Sequence, residues 1–263
     1  MSFISIDRKL CNKDNLCIRE CPAGILLADA DGFPEPKPEA IDNCIQCGHC
    51  QAVCPCDALT LRGVSPENQP PALKVPVDWE IMAGLIKSRR SIRQYKQTPV
   101  APGMLDKLLD VTRWAPTGGN SQIVRWLLVE KPETIKEIVR LTAEWARGNE
   151  PFKFLAGAWD AGRDVILRGA PVLAIAYAGN EYGSHQNDCL IAATTLELAA
   201  SSQGIGVCWA GFFMMACGFG YKPLLEFLGI PADKKVHAAL MLGYPQYGFK
   251  RIPSRRPAEI KKI

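Results

Sequence analysis

The stretch Cys44–Pro55 reads CIQCGHCQAVCP, four cysteines spaced C-x2-C-x2-C-x3-C with a proline after the last. Upstream, Cys11-x5-Cys17-x3-Cys21-Pro22 repeats the pattern in weaker form, with Asp14 where a further cysteine would stand. Of the eleven cysteines in 263 residues, eight fall between Cys11 and Cys56. Met1–Lys9 lacks the apolar core of a secretory leader, so a cytoplasmic, reducing location is expected, where dense thiols hold metal rather than form disulfides. Charge divides the chain at the same place. Residues 1–63 carry six basic and nine acidic side chains, while the whole chain carries 31 basic and 27 acidic. Two parts with different chemistry are implied.

Composition excludes several classes. Hydrophobic residues make up 48% and charged residues 22%, the balance of a cored protein rather than of a disordered chain, collagen or a coiled-coil rod. A formal charge of +4 is too mild to argue for nucleic acid. The longest apolar region, Cys189 to Cys217, is broken by Glu197, Gln203 and several Gly and Ser residues, so no membrane span is expected.

Val64 to Asp78 reads VSPENQPPALKVPVD, four prolines with no helical periodicity, and is expected to be an extended spacer. The expected organisation is therefore a domain over 1–63, a linker over 64–78 and a second domain over 79–263. About 63 residues is small enough to need a metal staple. In the larger domain, helices are predicted over Trp79–Arg90, from Pro102 to about Trp114, over Pro132–Arg147, and over Asp188–Gln203 with Gly204 as its stop. Strands are predicted at Arg125–Glu130, Pro171–Ala178 and Val236–Leu242. Helices and strands mix without a strict βαβ rhythm, so the expected class is α+β.

The Cys44–Pro55 spacing is that of an iron–sulfur cluster run, three thiolates on one tight loop gripping three irons of a cubane. Paired C-x2-C also suits zinc, but the Cys-Pro ending and the repeat favour iron. Residues 3–62 resemble two-cluster bacterial ferredoxins with one ligand exchanged. In that family the fourth cysteine of each run serves the opposite cluster. The resemblance thus implies one [4Fe-4S] cluster on Cys44, Cys47, Cys50 and Cys21, and a second on Cys11, Cys17 and Cys54 with Asp14, solvent or nothing at the last iron. A carboxylate is a harder ligand than a thiolate and binds that iron more weakly, so the second cluster is [4Fe-4S] or [3Fe-4S], or Asp14 is a solvated turn residue. Cys56 reads as packing, with ligation as the alternative.

The larger domain has neither G-x-G-x-x-G after a strand nor a P-loop. It has Arg89-Arg90-Ser91-Ile92-Arg93 at a predicted helix end, three guanidiniums and a hydroxyl suited to a phosphate. A polar, glycine-rich loop follows at Pro116-Thr117-Gly118-Gly119-Asn120-Ser121-Gln122. With Gly204–Gly211 (GIGVCWAG) and the tail LGYPQ…RR, these segments resemble, in order and spacing, the FMN-dependent nitroreductase family over about residues 79–258.

That resemblance implies an α+β fold, an obligate homodimer and FMN at the subunit interface. By motif, Arg89, Arg90, Ser91 and Arg93 match the segment holding the FMN phosphate and ribityl chain. Pro116, Thr117, Asn120 and Gln122 match the loop that borders the flavin from the partner subunit, with Thr117 where serine is usual and Ile123–Trp126 where many members read Gln-Pro-Trp. Ala210 and Gly211 match the backbone near the flavin's redox edge, and Arg255 and Arg256 the basic residues that close on the phosphate. No catalytic side chain is required, because FMN carries the chemistry. His49, His185 and His237 suggest no triad, and Cys189, Cys208 and Cys217 read as buried thiols. Trp145, Phe152, Phe154 and Trp159 read equally as helical core or as a substrate lid, with Arg163 and Arg168 in the same stretch able to touch an anion.

The expected whole is a 2[4Fe-4S] ferredoxin-like domain fused to an FMN-dependent nitroreductase-like α+β domain. Electrons would pass through the clusters to FMN, reducing a nitro, quinone or activated-alkene electrophile, with reduced ferredoxin or NAD(P)H as donor. An electron-transfer relay without its own substrate, and a redox sensor, are the alternatives.

Overall fold

A computed structural model describes residues 3–73, 75–179 and 183–263. Met1 and Ser2 of the expected leaderless N-terminus, and Lys74 of the expected linker, lie outside the described residues. Contacts divide the chain into two compact units, Met1–Pro76 with Gly119–Ser121, and Val77–Gly118 with Gln122–Ile263.

The first unit shows its internal repeat as structure. Strand β1 (Ile4–Ile6), helix α1 (Leu16–Glu20) and strand β2 (Leu26–Ala28) form one half. Strand β3 (Pro34–Pro36), helices α2 (Ala40–Asn43) and α3 (His49–Ala52) and strand β4 (Leu59–Leu61) form the other. The halves interlock, β1 pairing antiparallel with β4 and β2 with β3. The buried apolar set is small, with Ile4, Ile25, Leu26, Leu59 and Leu61 at its centre beside Cys17 and Cys50. Strands of three residues over so few side chains hold little area out of water, which fits a domain that depends on a staple. Beyond β4, Gln51 fastens the start of the proline-rich segment, its amide donating to the Val64 carbonyl at 2.7 Å and accepting from Gln69 at 2.9 Å.

The second unit opens with helix α4 (Trp79–Ser88), whose N-cap Asp78 accepts from the amides of Glu80 and Ile81. Helix α5 runs Met104–Thr112. Pro102 does not open it, because Gly103 takes φ 70° at the N-cap and leaves the proline in the preceding turn. Then follow β5 (Arg125–Val129), α6 (Pro132–Arg147), α7 (Lys153–Asp160), β6 (Val172–Gly179), α8 (Gly183–Ser202), β7 (Gly206–Trp209), α9 (Gly211–Gly218), α10 (Lys222–Phe227) and β8 (Lys234–Gly243). The sheet order is β5-β6-β8-β7, antiparallel throughout.

Successive side chains of a strand face opposite ways. On β6, Val172, Ala174, Ala176 and Ala178 join Leu105 and Leu108 of α5 and Cys189, Ala193 and Leu196 of α8 in one core. Leu173 and Ile175 join Ile138 of α6, Leu155 of α7, Phe213 of α9 and Leu224 of α10 in the other. Helices therefore cover both faces, which is why PVLAIAYA has no polar alternation although its partners are antiparallel. Trp145 is buried at 5% exposure and stacks on Phe152 with centroids 5.0 Å apart, so of the two readings of this stretch, core holds for its first part. Phe154 is exposed and meets Phe212 edge-on.

Candidate functional site

In the first unit the cysteines fall into two groups. Burial pushes the Cys50 thiol up to about 11, opposed by an amide of Gln51 and reinforced by repulsion from Cys21, Cys47 and Cys44. Burial also raises Cys17, and there the neighbouring thiols are Cys54 and Cys11. Cys11, Asp14, Cys17 and Cys54 line one small cavity with Ile6, Pro34 and Leu59. Cys21 is thus near the residues of the second run and Cys54 near those of the first.

Local backbone explains the placement. Gln46 at φ 55° and Gly48 at φ 75° turn the Cys44–Cys50 loop back on itself. Lys13 and Asn15, at φ 60° and 58°, do the same around Asp14. One carboxylate oxygen of Asp14 accepts from the Leu16 amide at 3.0 Å. Sulfurs accept from backbone too, Cys44 from the Gln46 amide at 3.3 Å and Cys54 from the Ala58 amide at 3.4 Å. Cys56 does not line the cavity. Among the described residues no three His, Cys, Asp or Glu side chains sit close enough to hold a single metal ion. A cubane spreads its ligands over four corners, and the thiols grouped around Cys50 and around Cys17 are the donor type such clusters take.

Asn120 belongs to this unit, its amide donating to the Ile45 and Gln46 carbonyls at 3.0 and 3.1 Å.

In the second unit the segment Ser91–Tyr95 lies against the β7 and β8 ends. Ser91 bridges Val207, the Ile92 amide donates to the Val207 carbonyl at 2.9 Å, and the Tyr95 hydroxyl donates to the Ile92 carbonyl at 2.7 Å. Two glycines paired across β7 and β8, Gly206 and Gly243, make this possible. A Cβ on Gly206 would sit 2.6 Å from Ile92 Cγ1, and one on Gly243 would sit 2.6 Å from Pro171 Cδ.

The arginines of the segment then divide between two cavities. Arg89 and Arg90, with Lys96, Gly204, Gly206 and Tyr247, line one of about 420 Å³. Its three cations fit an anion such as a phosphate. The Arg89 guanidinium is held at 2.9 Å by Glu197 of α8, which also accepts from Trp209 Nε1 at 3.4 Å. Arg90 folds back on the carbonyls of Lys87 and Ser88. Arg93 lines a second cavity of about 540 Å³ with Arg168, Cys208, Gly211 and Met214. The Ser91 hydroxyl bonds to Cys208, whose thiol burial raises and the Arg93 and Arg168 charges lower.

Ala210, fully buried, caps α9 and donates its amide to the Ala239 carbonyl at 2.9 Å, while Gly211 is exposed at the cavity wall. Pro116, Thr117 and Gln122 line neither cavity. Thr117 Oγ1 accepts from the Gln122 amide at 3.1 Å, and buried Asp188 anchors the loop by accepting from the Gly118 amide at 2.9 Å. Arg255 and Arg256 are exposed in a tail without regular structure. Glu197, Asp188 and Arg168 are the participants that motif reading leaves out or unassigned. Glu197 lies 108 residues from Arg89, so only its charge in the apolar later part of α8 marks it. Cys189, Cys208 and Cys217 are all buried.

Residues 86–244 match the nitroreductase family, and residues 3–55 match a 4Fe-4S dicluster domain. The chain belongs to the nitroreductase family. An Archaeoglobus fulgidus protein with the provisional name NADH dehydrogenase/NAD(P)H nitroreductase is 29% identical over 162 residues, covering 62% of this chain and 84% of that protein. An NADH dehydrogenase of Thermus thermophilus is 27% identical over 203 residues, covering 64% of this chain and 90% of that protein. Among solved structures, a Bacteroides fragilis nitroreductase with bound FMN superposes with a TM-score of 0.60 at 25% identity, covering 69% of this chain and 97% of that one. As a family member with a dicluster domain, the chain is a nitroreductase-like oxidoreductase. Among the described residues no helix is long and apolar enough to cross a membrane.

Proposed function

We propose that this chain is an iron–sulfur flavoprotein reductase, with two ferredoxin-type clusters in residues 1–63, a spacer over 64–78 and FMN in residues 79–263. The observation that carries the reading is the sorting of seven cysteines into two groups, in one chain with a nitroreductase-family domain. Cys21, Cys44, Cys47 and Cys50 hold a [4Fe-4S] cluster. Cys11, Cys17 and Cys54 hold the other, with Asp14 at the last iron. Arg89, Arg90, Ser91 and Arg93 hold the FMN phosphate and ribityl chain, joined by Arg255 and Arg256 of the tail. When bound, the clusters supply single-electron transfer and FMN supplies two-electron reduction of an acceptor.

The protein's own part is to bind and to orient. Glu197 fixes the Arg89 guanidinium, so the charge is in place before a ligand arrives. Gly211 presents backbone to the flavin's redox edge, where glycine leaves the approach unobstructed, and Ala210, buried with its amide bonded to Ala239, fixes the turn behind it. The acceptor is a small electrophile of nitro, quinone or activated-alkene type, and the donor is NAD(P)H or reduced ferredoxin. The names of the Archaeoglobus and Thermus relatives support a nicotinamide donor.

The working unit is a homodimer in which Pro116, Thr117, Asn120 and Gln122 border the partner's flavin. Two features support this. The loop lines neither cavity of its own chain. Helix α4 exposes Trp79, Ile81, Met82 and Ile86, an apolar face of the kind subunits bury. Eleven free cysteines suit a reducing, cytoplasmic setting.

Steady-state turnover tests the reading. Reduced methyl viologen, offered with nitrobenzene, benzoquinone and an activated alkene, should be oxidised in an FMN-dependent way by at least one acceptor. Rapid cluster reduction without turnover of any acceptor would make the chain a relay instead.

A further inference from the structure

We infer that Arg168 is a substrate-binding residue, and that the cavity beside Gly211 takes an electron-poor aromatic ring bearing a carboxylate. The inference deepens the proposed function and rests on it for the reaction, since the flavin edge is assigned to the Gly211 wall.

The cavity, about 540 Å³, is lined by Trp209, Phe212, Met214, Met215 and Met241, with Arg93 and Arg168 as its charged groups. The flavin takes the Arg93 and Gly211 side of this space, and the remaining lining suits a small aromatic molecule, because aromatic and thioether side chains give a planar ring both area and polarizable contact. Arg93 is claimed by the flavin in the proposed assignment. Arg168 is not, and among the described residues neither enters an ion pair. A half-buried guanidinium without a carboxylate partner is offset when a ligand brings one, and the planar fork favours a bidentate carboxylate.

The backbone is built to hold Arg168 there. Asp164 accepts from the Ile166 amide at 2.9 Å and from the Leu167 and Gly169 amides at 2.8 Å each. Ile166 and Leu167 are buried, at 2% and 0% exposure, and root the loop in the core. Arg168 itself takes φ 60°, a left-handed conformation that is costly for a long side chain. A surface arginine needs none of this. The charge is also felt at the cavity wall, where Arg168 opposes the effect of burial on Cys208, and behind it at buried Tyr95.

The test compares 4-nitrobenzoate with the uncharged 4-nitrobenzamide on the full chain. Wild type should prefer the acid, and Arg168→Gln should raise its KM by about tenfold or more, the worth of a charged hydrogen bond. The amide's KM and the FMN dissociation constant should stay within about twofold. Arg168→Lys should recover part of the loss. Quenching of tryptophan fluorescence by 4-nitrobenzoate, with and without FMN, reads binding independently of turnover, and circular dichroism confirms that each variant is folded. Equal losses for both probes, no preference in wild type, or a loss of FMN affinity would overturn the inference, the last by giving Arg168 to the flavin. A wild type that binds no FMN would instead sink the proposed function, while flavin-free quenching by 4-nitrobenzoate, lost in Arg168→Gln, would still support an aromatic-carboxylate site.

Discussion

At Gly206 the chain passes so close to Ile92 that a Cβ would clash with three of its carbons at 2.6 to 2.9 Å. Gly206→Ala should therefore cost about 1–3 kcal/mol, the range for overpacking, and shift the Ser91–Arg93 backbone. Denaturant unfolding gives the stability, and FMN titration reports the shift as weaker binding. Arg89 and Glu197 are 24% and 9% exposed at their side chains, so Arg89→Met leaves a carboxylate buried without its counter-charge. The expected loss is ~3–5 kcal/mol, much of it recovered in Arg89→Met/Glu197→Met, where the orphaned charge is gone. A double-mutant cycle separates these outcomes. Burial pushes Cys217 up to about 12, and burial with the Asp188 charge does the same to Cys189. At pH 8 the folded protein should resist alkylation at both, and unfolding should expose them. The unfolded thiols ionise near 9.0 and the folded ones near 12. Their contribution is thus complete below pH 9 and falls as pH rises towards 12.

Among the elements, those with a local cause were legible in sequence. Pro132 at a first helical position and the long amphipathic repeat placed α6 at both ends. The unbroken apolar run placed β6 within a residue. The misses came from tertiary causes. Strand β7 is four residues inside a glycine-rich segment and exists because β8 pairs with it. Helix α9, GFFMMACG, is apolar nearly throughout and so carries little periodic signal. The two cysteine runs were legible from their spacing, the crossing of Cys21 and Cys54 between them was implied only by the ferredoxin resemblance, and the Arg89–Glu197 pair and the Asp164 clip depend on folding. The loop around Asp14 gives an element-scale prediction. An oxygen ligand should release its iron more readily than a thiolate, so Asp14→Cys should retain iron in air where wild type loses about one of eight. Iron counts before and after exposure, with electron paramagnetic resonance for a three-iron product, check it. Equal loss in both proteins would remove Asp14 from the ligand set.

At the scale of the whole molecule, a small unit with a slight core and dense thiols shares a chain with a nitroreductase-family domain cored on both faces of its sheet. The first should depend on metal for its fold and the second should not. Iron chelation should therefore collapse the circular dichroism of residues 1–63 while leaving a cooperative transition for the rest. Sedimentation should give a dimer, and charged substitutions at Ile81 and Ile86 of α4 should split it.

The central claim is that one chain carries two iron–sulfur clusters and a flavin. Anaerobic purification with iron, sulfide and FMN counted per chain tests it most directly. The account predicts about eight irons, or about seven if the Asp14 cluster is a three-iron form, with matching sulfide and about one FMN. Zinc in place of iron, or no flavin after reconstitution, would contradict it.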